Sequence, residues 1–131
     1  MPRETIRTVI SCFNDGHPVP LGFSWSKTLS EKFGCRYKQT ILLHGECLKY
    51  GLRSSVYRAK FGTDNPFEEF LVQLVKSKVR IVICKFCLDA DGFNVEELLR
   101  FVEPVAFSVD FIAQSQARKG AVVIYDAKLA K

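Results

Sequence analysis

No apolar run in this chain approaches the roughly 18 residues that a membrane-crossing helix needs, so no membrane partner is expected. There is no G-x-G-x-x-G and no G-K-[ST]. The loop after the first apolar run, Cys12-Phe13-Asn14-Asp15-Gly16, carries a single glycine, which leaves dinucleotide and nucleoside-triphosphate binding without their usual phosphate cradle. Histidine is scarce: His17 and His44 are the two present, and neither has an identifiable acidic orienter, so a nucleophilic hydrolase has little support. The five cysteines are odd in number and irregularly spaced, which argues against a disulfide framework in a chain long enough to build its own core. They include a single C-x-x-C, where structural zinc usually takes two closely spaced pairs. No long apolar segment follows Met1, so a secretory leader is not expected either. These absences leave a reduced, cytoplasmic protein that needs no metal and no organic cofactor.

What is present is the balance of an ordinary globular domain. The chain has 131 residues, 47% hydrophobic and 25% charged, which suits a single domain over 1–131. The net charge of +5 is modest and serves first to solvate the surface. Apolar β-branched segments at Thr5–Phe13, Gln39–His44, Val79–Ile83, Val102–Ala106 and Ala121–Tyr125 read as five strands. Between them, Pro20–Phe33 repeats an apolar residue every fourth position (Leu21, Trp25, Leu29, Phe33) and is followed by a capping Gly34. Glu46–Leu52 reads as a short helix, and the basic segment Arg53–Gly62 as a loop or short helix. Asn65–Lys76 carries one apolar stripe and a capping Asn65. Asn94-Val95-Glu96-Glu97 resembles a capping box that opens a helix to Phe101, and Ser108–Lys119 is a helix stopped by Gly120. Alternation of this kind predicts a three-layer α/β/α fold with a mostly parallel five-stranded sheet.

The chemistry concentrates in Val79–Gly92, VRIVICKFCLDADG. A short continuous apolar run is the pattern of a strand buried on both faces. It ends at Cys84, on the edge that faces the ligand crevice in open α/β sheets. If the following turn is helical, its N–H groups favour the thiolate, and Lys85 adds positive charge. Cys84, Lys85 and Cys87 are therefore the candidate catalytic residues. Asn14, Cys12, His44 and Cys47 fall at the ends of the first two strands, on the same edge, and are the candidate binding residues. The alternative is that small apolar thiols simply pack under the sheet edge. Basic residues interleaved with aromatics are limited to Arg53, Tyr57, Arg58, Lys60 and Phe61, so nucleic acid is not expected as a partner.

Taken in order, these segments resemble the DsrE/DsrF-like (YchN-like) sulfur-relay family. Leu42-Leu43-His44-Gly45-Glu46-Cys47-Leu48 is similar to that family's strand followed by Gly-(Asp/Glu)-Ala-Val. Asn65-Pro66, a helix and Val79–Cys84 are similar to its helix-strand-cysteine unit. Cys84-x-x-Cys87-Leu88 with Gly92 is similar to its V-C-x-x-C/S-L…G signature. Phe101–Ala106, a helix with Gln114 and Gln116, Gly120 and an apolar strand are similar to its ending. Two departures are Ser77-Lys78, where a glycine commonly precedes the strand, and the extra thiol Cys12. The resemblance implies assembly into homotrimers or hexamers. It also implies sulfur donor and acceptor proteins as partners, and sulfur carried as a persulfide on Cys84. A dithiol oxidoreductase using Cys84 and Cys87, and a non-catalytic oligomeric binding module, are the alternatives.

Overall fold

The computed structural model describes residues 5–14 and 19–126; His17 lies outside them. Five strands form one sheet: β1 (Ile6–Cys12), β2 (Tyr37–Leu43), β3 (Arg80–Cys84), β4 (Val102–Val105) and β5 (Val122–Tyr125). Their order is β4-β3-β2-β1-β5, and every neighbouring pair is parallel. Five helices connect and cover them: α1 (Leu21–Phe33), α2 (Ser54–Phe61), α3 (Glu68–Lys76), α4 (Lys85–Ala90) and α5 (Ser108–Lys119). The expected α/β class and parallel sheet are therefore observed.

The order of the strands decides how the helices are shared between the faces. From β1 to β4 the chain steps across the sheet in one direction, and right-handed crossovers put all those connections on one side. The return from β4 to β5 runs the other way and puts α5 alone on the opposite side. The two cores reflect this. On the first face Ile10, Cys12, Ile41, Leu43, Ile81 and Ile83 pack under Phe23 of α1, Tyr57 of α2, Leu71 and Leu74 of α3 and Leu88 of α4. On the second face Val9, Leu42 and Val82 meet Phe111 and Ile112 of α5. At about 1.5–3 kcal/mol per buried large aliphatic side chain, the first face carries most of the stability.

Several boundaries differ from the sequence reading, each for a local reason. Pro20 sits just before α1, where its carbonyl accepts from Phe23 and Ser24, rather than inside the helix. Gly22, Phe23 and Ser26 are the fully buried residues of α1, Trp25 and Leu29 of the expected stripe pack against the same core partly buried, and Phe33 is 45% exposed. Small residues let the helix approach β1 more closely than the four-residue stripe would. A Cβ on Gly22 would overlap Cys12 Sγ. Glu46–Leu52 is a 3-10 segment over Gly45–Gly51, and the basic Arg53–Gly62 stretch forms α2. α3 runs from Glu68, one turn beyond Asn65, whose side-chain oxygen accepts from Phe67 N–H at the helix entry while its amide donates to the Tyr50 and Leu52 carbonyls. The capping box at Asn94 is present but opens a single 3-10 turn, since Glu97 and Leu99 pair with Arg53 and Gly51 instead. Pro104 is tolerated because β4 is an edge strand.

Lys78, in the turn from α3 into β3, has φ 70. A side chain in that left-handed region costs roughly 1–2 kcal/mol relative to a right-handed conformation. The chain accepts a strained lysine there in place of a glycine.

The close approach at Gly22 leads to a packing prediction. Gly22→Ala should destabilise the fold by about 1–3 kcal/mol, the usual range for overpacking. Combining it with Cys12→Ala should recover part of that loss, a non-additivity measurable in a chemical-denaturation double-mutant cycle.

Candidate functional site

Cys84 ends β3 on the face covered by α5, since it follows Val82 by two residues along the strand. The chain turns at once into α4, and the end of β4 turns through Phe107 into α5. Phe86 N–H donates to the Ala106 carbonyl and ties the two helix starts together. The sulfur of Cys84 lies between them and has no solvent-exposed surface. Four donors point at it: the N–H and S–H of Cys87, and the N–H and hydroxyl of Ser108. Burial pushes the Cys84 thiol up, but these hydrogen bonds outweigh it and hold the pKa below the ordinary thiol value.

Cys87 is partly exposed and behaves in the opposite way. Burial raises its pKa, and so do its bond to the Cys84 sulfur and the charge there. Gly45 N–H, donating to Cys87, offsets only part of this, and Asp91 adds a further upward push. Across this contact the Cys87 S–H donates to the Cys84 sulfur, and the two pKa values move apart, down at Cys84 and up at Cys87. Two groups that differ so clearly in acidity across one contact are a common sign of a reactive site.

Lys85 is exposed and directs its ammonium at Asp89, 2.8 Å away and one helical turn on. The donors to the sulfur are Ser108 and Cys87.

The other candidate residues cluster nearer β1. Cys12 points to the first face, under α1, fully buried. Burial, then Cys47, then Asp126 raise its pKa well above the ordinary value, so it stays protonated. Cys47 S–H donates to the Asn14 carbonyl at 3.3 Å. Asn14 and Phe13 donate their N–H groups to Asp126 Oδ2 at 2.7 and 2.8 Å. Strand order reverses at β1, which is where an open α/β sheet usually offers its ligand crevice. Here Asp126, the chain's own carboxylate, takes up the backbone donors at that point.

His44 lies one step beyond the Leu43–Ile83 pairing of β2 with β3, which makes it the register neighbour of Cys84. Its Nε2 is 2.6 Å from Ser11 Oγ, and its ring meets Phe13 edge-on with centroids 5.1 Å apart. Burial lowers its pKa and Asp126 partly opposes this, so the ring is neutral near pH 7.

The fold therefore brings Cys84 and Cys87 together, with Gly45 linking them to the end of β2. It places Cys12, Cys47 and Asn14 in a separate group. Among the described residues no three Cys, His, Asp or Glu side chains converge in a way that could hold a metal ion.

Two site residues escape a reading of the sequence. Ser108 looks like an ordinary helix cap. The structure puts Phe107 at the cap position and turns the Ser108 hydroxyl to sulfur instead. Asp126 follows the last strand, and nothing local marks it; its partners are more than a hundred residues away.

No protein-family model and no curated protein matches the chain. Among solved structures, the fold is similar to the protein of unknown function MTH1491 from Methanobacterium thermoautotrophicum, with a TM-score of 0.72 and 20% identity over 93% of this chain and 98% of that one. It is also similar to the ychN protein from E. coli, with a TM-score of 0.65, 20% identity and the same coverage. At this identity the likeness is one of fold: the chain is an α/β domain of YchN-like architecture. No helix of the described residues is long and apolar enough to cross a membrane.

Two measurements test these electrostatics. Ser108→Ala removes one donor, so the thiolate absorbance titration assigned to Cys84 by difference from Cys84→Ser should move to higher pH. For His44 the folded pKa lies below the unfolded one, so the unfolded chain takes up the proton first. Stability should be fully present above about pH 6.5, the unfolded histidine value, and fall as pH drops below it. The melting temperature should show this decline, and His44→Gln should flatten it.

Proposed function

We propose that this protein is a sulfur carrier that holds sulfane sulfur as a persulfide on Cys84. The observation that carries the reading is the four-donor cradle around that sulfur, which favours its anionic form over that of an ordinary thiol. In the loading step the Cys84 thiolate attacks the outer sulfur of a donor persulfide R–S–SH. The donor S–S bond breaks, a new S–S bond forms at Cys84, and the donor leaves as a thiolate that takes up a proton. Unloading is the same displacement, with an acceptor nucleophile attacking the outer sulfur and Cys84 leaving. The low thiol pKa serves both directions, because it favours the attacking and the leaving thiolate alike.

Access is the constraint on this chemistry, because Cys84 is sealed. Phe86 and Phe107 flank the two helix starts that hold the sulfur. They form an edge-to-face pair with centroids 5.3 Å apart, and they are 63% and 37% exposed. A docking donor that engages these rings would part α4 from α5 and open the sulfur. The same exposed apolar surface, continued by Val109, suits a sister subunit in a homotrimer or hexamer. Cysteine chemistry of this kind belongs in a reducing compartment such as the cytoplasm.

A second reading rests on the Cys87–Cys84 hydrogen bond. A thiolate already in contact with a thiol three residues on is also the starting point for a dithiol oxidoreductase. Mass spectrometry after incubation with a persulfide donor separates the two. A gain of one sulfur atom, about 32 Da, lost in Cys84→Ser and kept in Cys87→Ser, supports the carrier. Loss of two hydrogens on mild oxidation, abolished by either substitution and without a sulfur adduct, replaces it with the oxidoreductase.

A further inference from the structure

At the opposite edge of the sheet, where the strands begin, α5 leaves part of the second face uncovered. The groove there has a volume of about 310 Å³ and is lined by Arg7 of β1, Lys38 of β2, Lys78 and Arg80 at the start of β3, and Lys119 at the end of α5. No carboxylate lines it. Arg80 is already engaged, with Glu103 at 2.7 Å and with its guanidinium 6.0 Å from the centre of the Phe111 ring. Arg7, Lys38, Lys78 and Lys119 form no ion pair among the described residues. These residues are scattered along the chain, and the parallel register collects them: Arg7 pairs with Lys38, and Thr40 with Arg80.

Like charges gathered around one concavity repel one another and raise the local concentration of anions. Lys78 adds a second, independent observation. It occupies the left-handed conformation, φ 70, that a glycine would take without strain. A strained side chain that is also charged and lines a groove is the kind of local cost that marks functional positions. We propose that this groove binds a small ligand carrying at least two linked phosphate groups. Its size is at the lower end of small-molecule pockets, which favours a compact polyanion over a polymer. A single phosphate leaves part of the positive charge uncompensated, whereas two or more linked groups reach lysines on both walls. Because the groove is at the far edge of the sheet from Cys84, this site does not depend on the sulfur chemistry.

Calorimetric titration of the full chain with tripolyphosphate, pyrophosphate, orthophosphate and a nucleoside triphosphate tests the proposal. Tripolyphosphate should bind at least about tenfold more tightly than orthophosphate. A still tighter nucleoside triphosphate would identify a nucleotide as the source of the phosphates; equal affinity would point to an inorganic or other phosphoryl compound. Lys78→Gly is the informative variant, because it relieves backbone strain while removing a charge. It should raise the melting temperature and weaken tripolyphosphate binding by about tenfold or more. Lys119→Ala should weaken binding similarly, and Lys60→Ala, at the other edge of the sheet, should leave it unchanged. The proposal is overturned if Lys60→Ala costs as much as Lys78→Gly, if Lys78→Gly binds as the parent does, or if only a single-stranded oligonucleotide binds.

Discussion

The single reversal of direction in the sheet is the constraint on which the rest of this structure depends. Four strands laid down in sequence order commit their connections to one face. The fifth strand has to return past β1, and its helix then has the other face to itself. That arrangement makes one core deep and the other shallow. It also brings the starts of α4 and α5 to the end of β3, where they converge on one sulfur, and it leaves bare sheet beyond the other end of α5, where cationic side chains gather.

The two ends of the sheet consequently differ in electrostatic character. At the carboxyl end, backbone and side-chain donors converge on the Cys84 sulfur and on the Asp126 side chain. Both groups are matched by hydrogen bonds rather than by a cation, at Cys84 in a site closed to water and at Asp126 in a half-buried one. At the amino end, positive charge stands in excess and is held open to solvent. A buried thiol supported by neutral donors can change its charge without breaking a salt bridge. An open ring of lysines instead depends on an outside anion to offset its repulsion.

The four described thiols illustrate how little a cysteine's position along the chain says about its reactivity. Cys12 and Cys84 both end a buried strand, and both are fully buried. One faces a close-packed helix and stays a thiol. The other faces two helix starts and is pulled toward the thiolate. The difference is the supply of hydrogen-bond donors, since burial acts on both in the same direction.

Local information was enough for the α/β class, the five strands, the main helices and the glycines that end two of them, Gly34 and Gly120. Periodicity, caps and turn residues act over a few positions, and those positions are adjacent in the chain. The C-x-x-C at Cys84 was legible for the same reason. Which face each thiol joins, the Ser108 hydroxyl at the sulfur, the clasp of Asp126 on Phe13 and Asn14, and the meeting of Arg7, Lys38, Lys78 and Lys119 were decided only in three dimensions. Each of these joins residues from different strands or helices, and pairing register with crossover handedness, rather than any local preference, brings them within reach of one another.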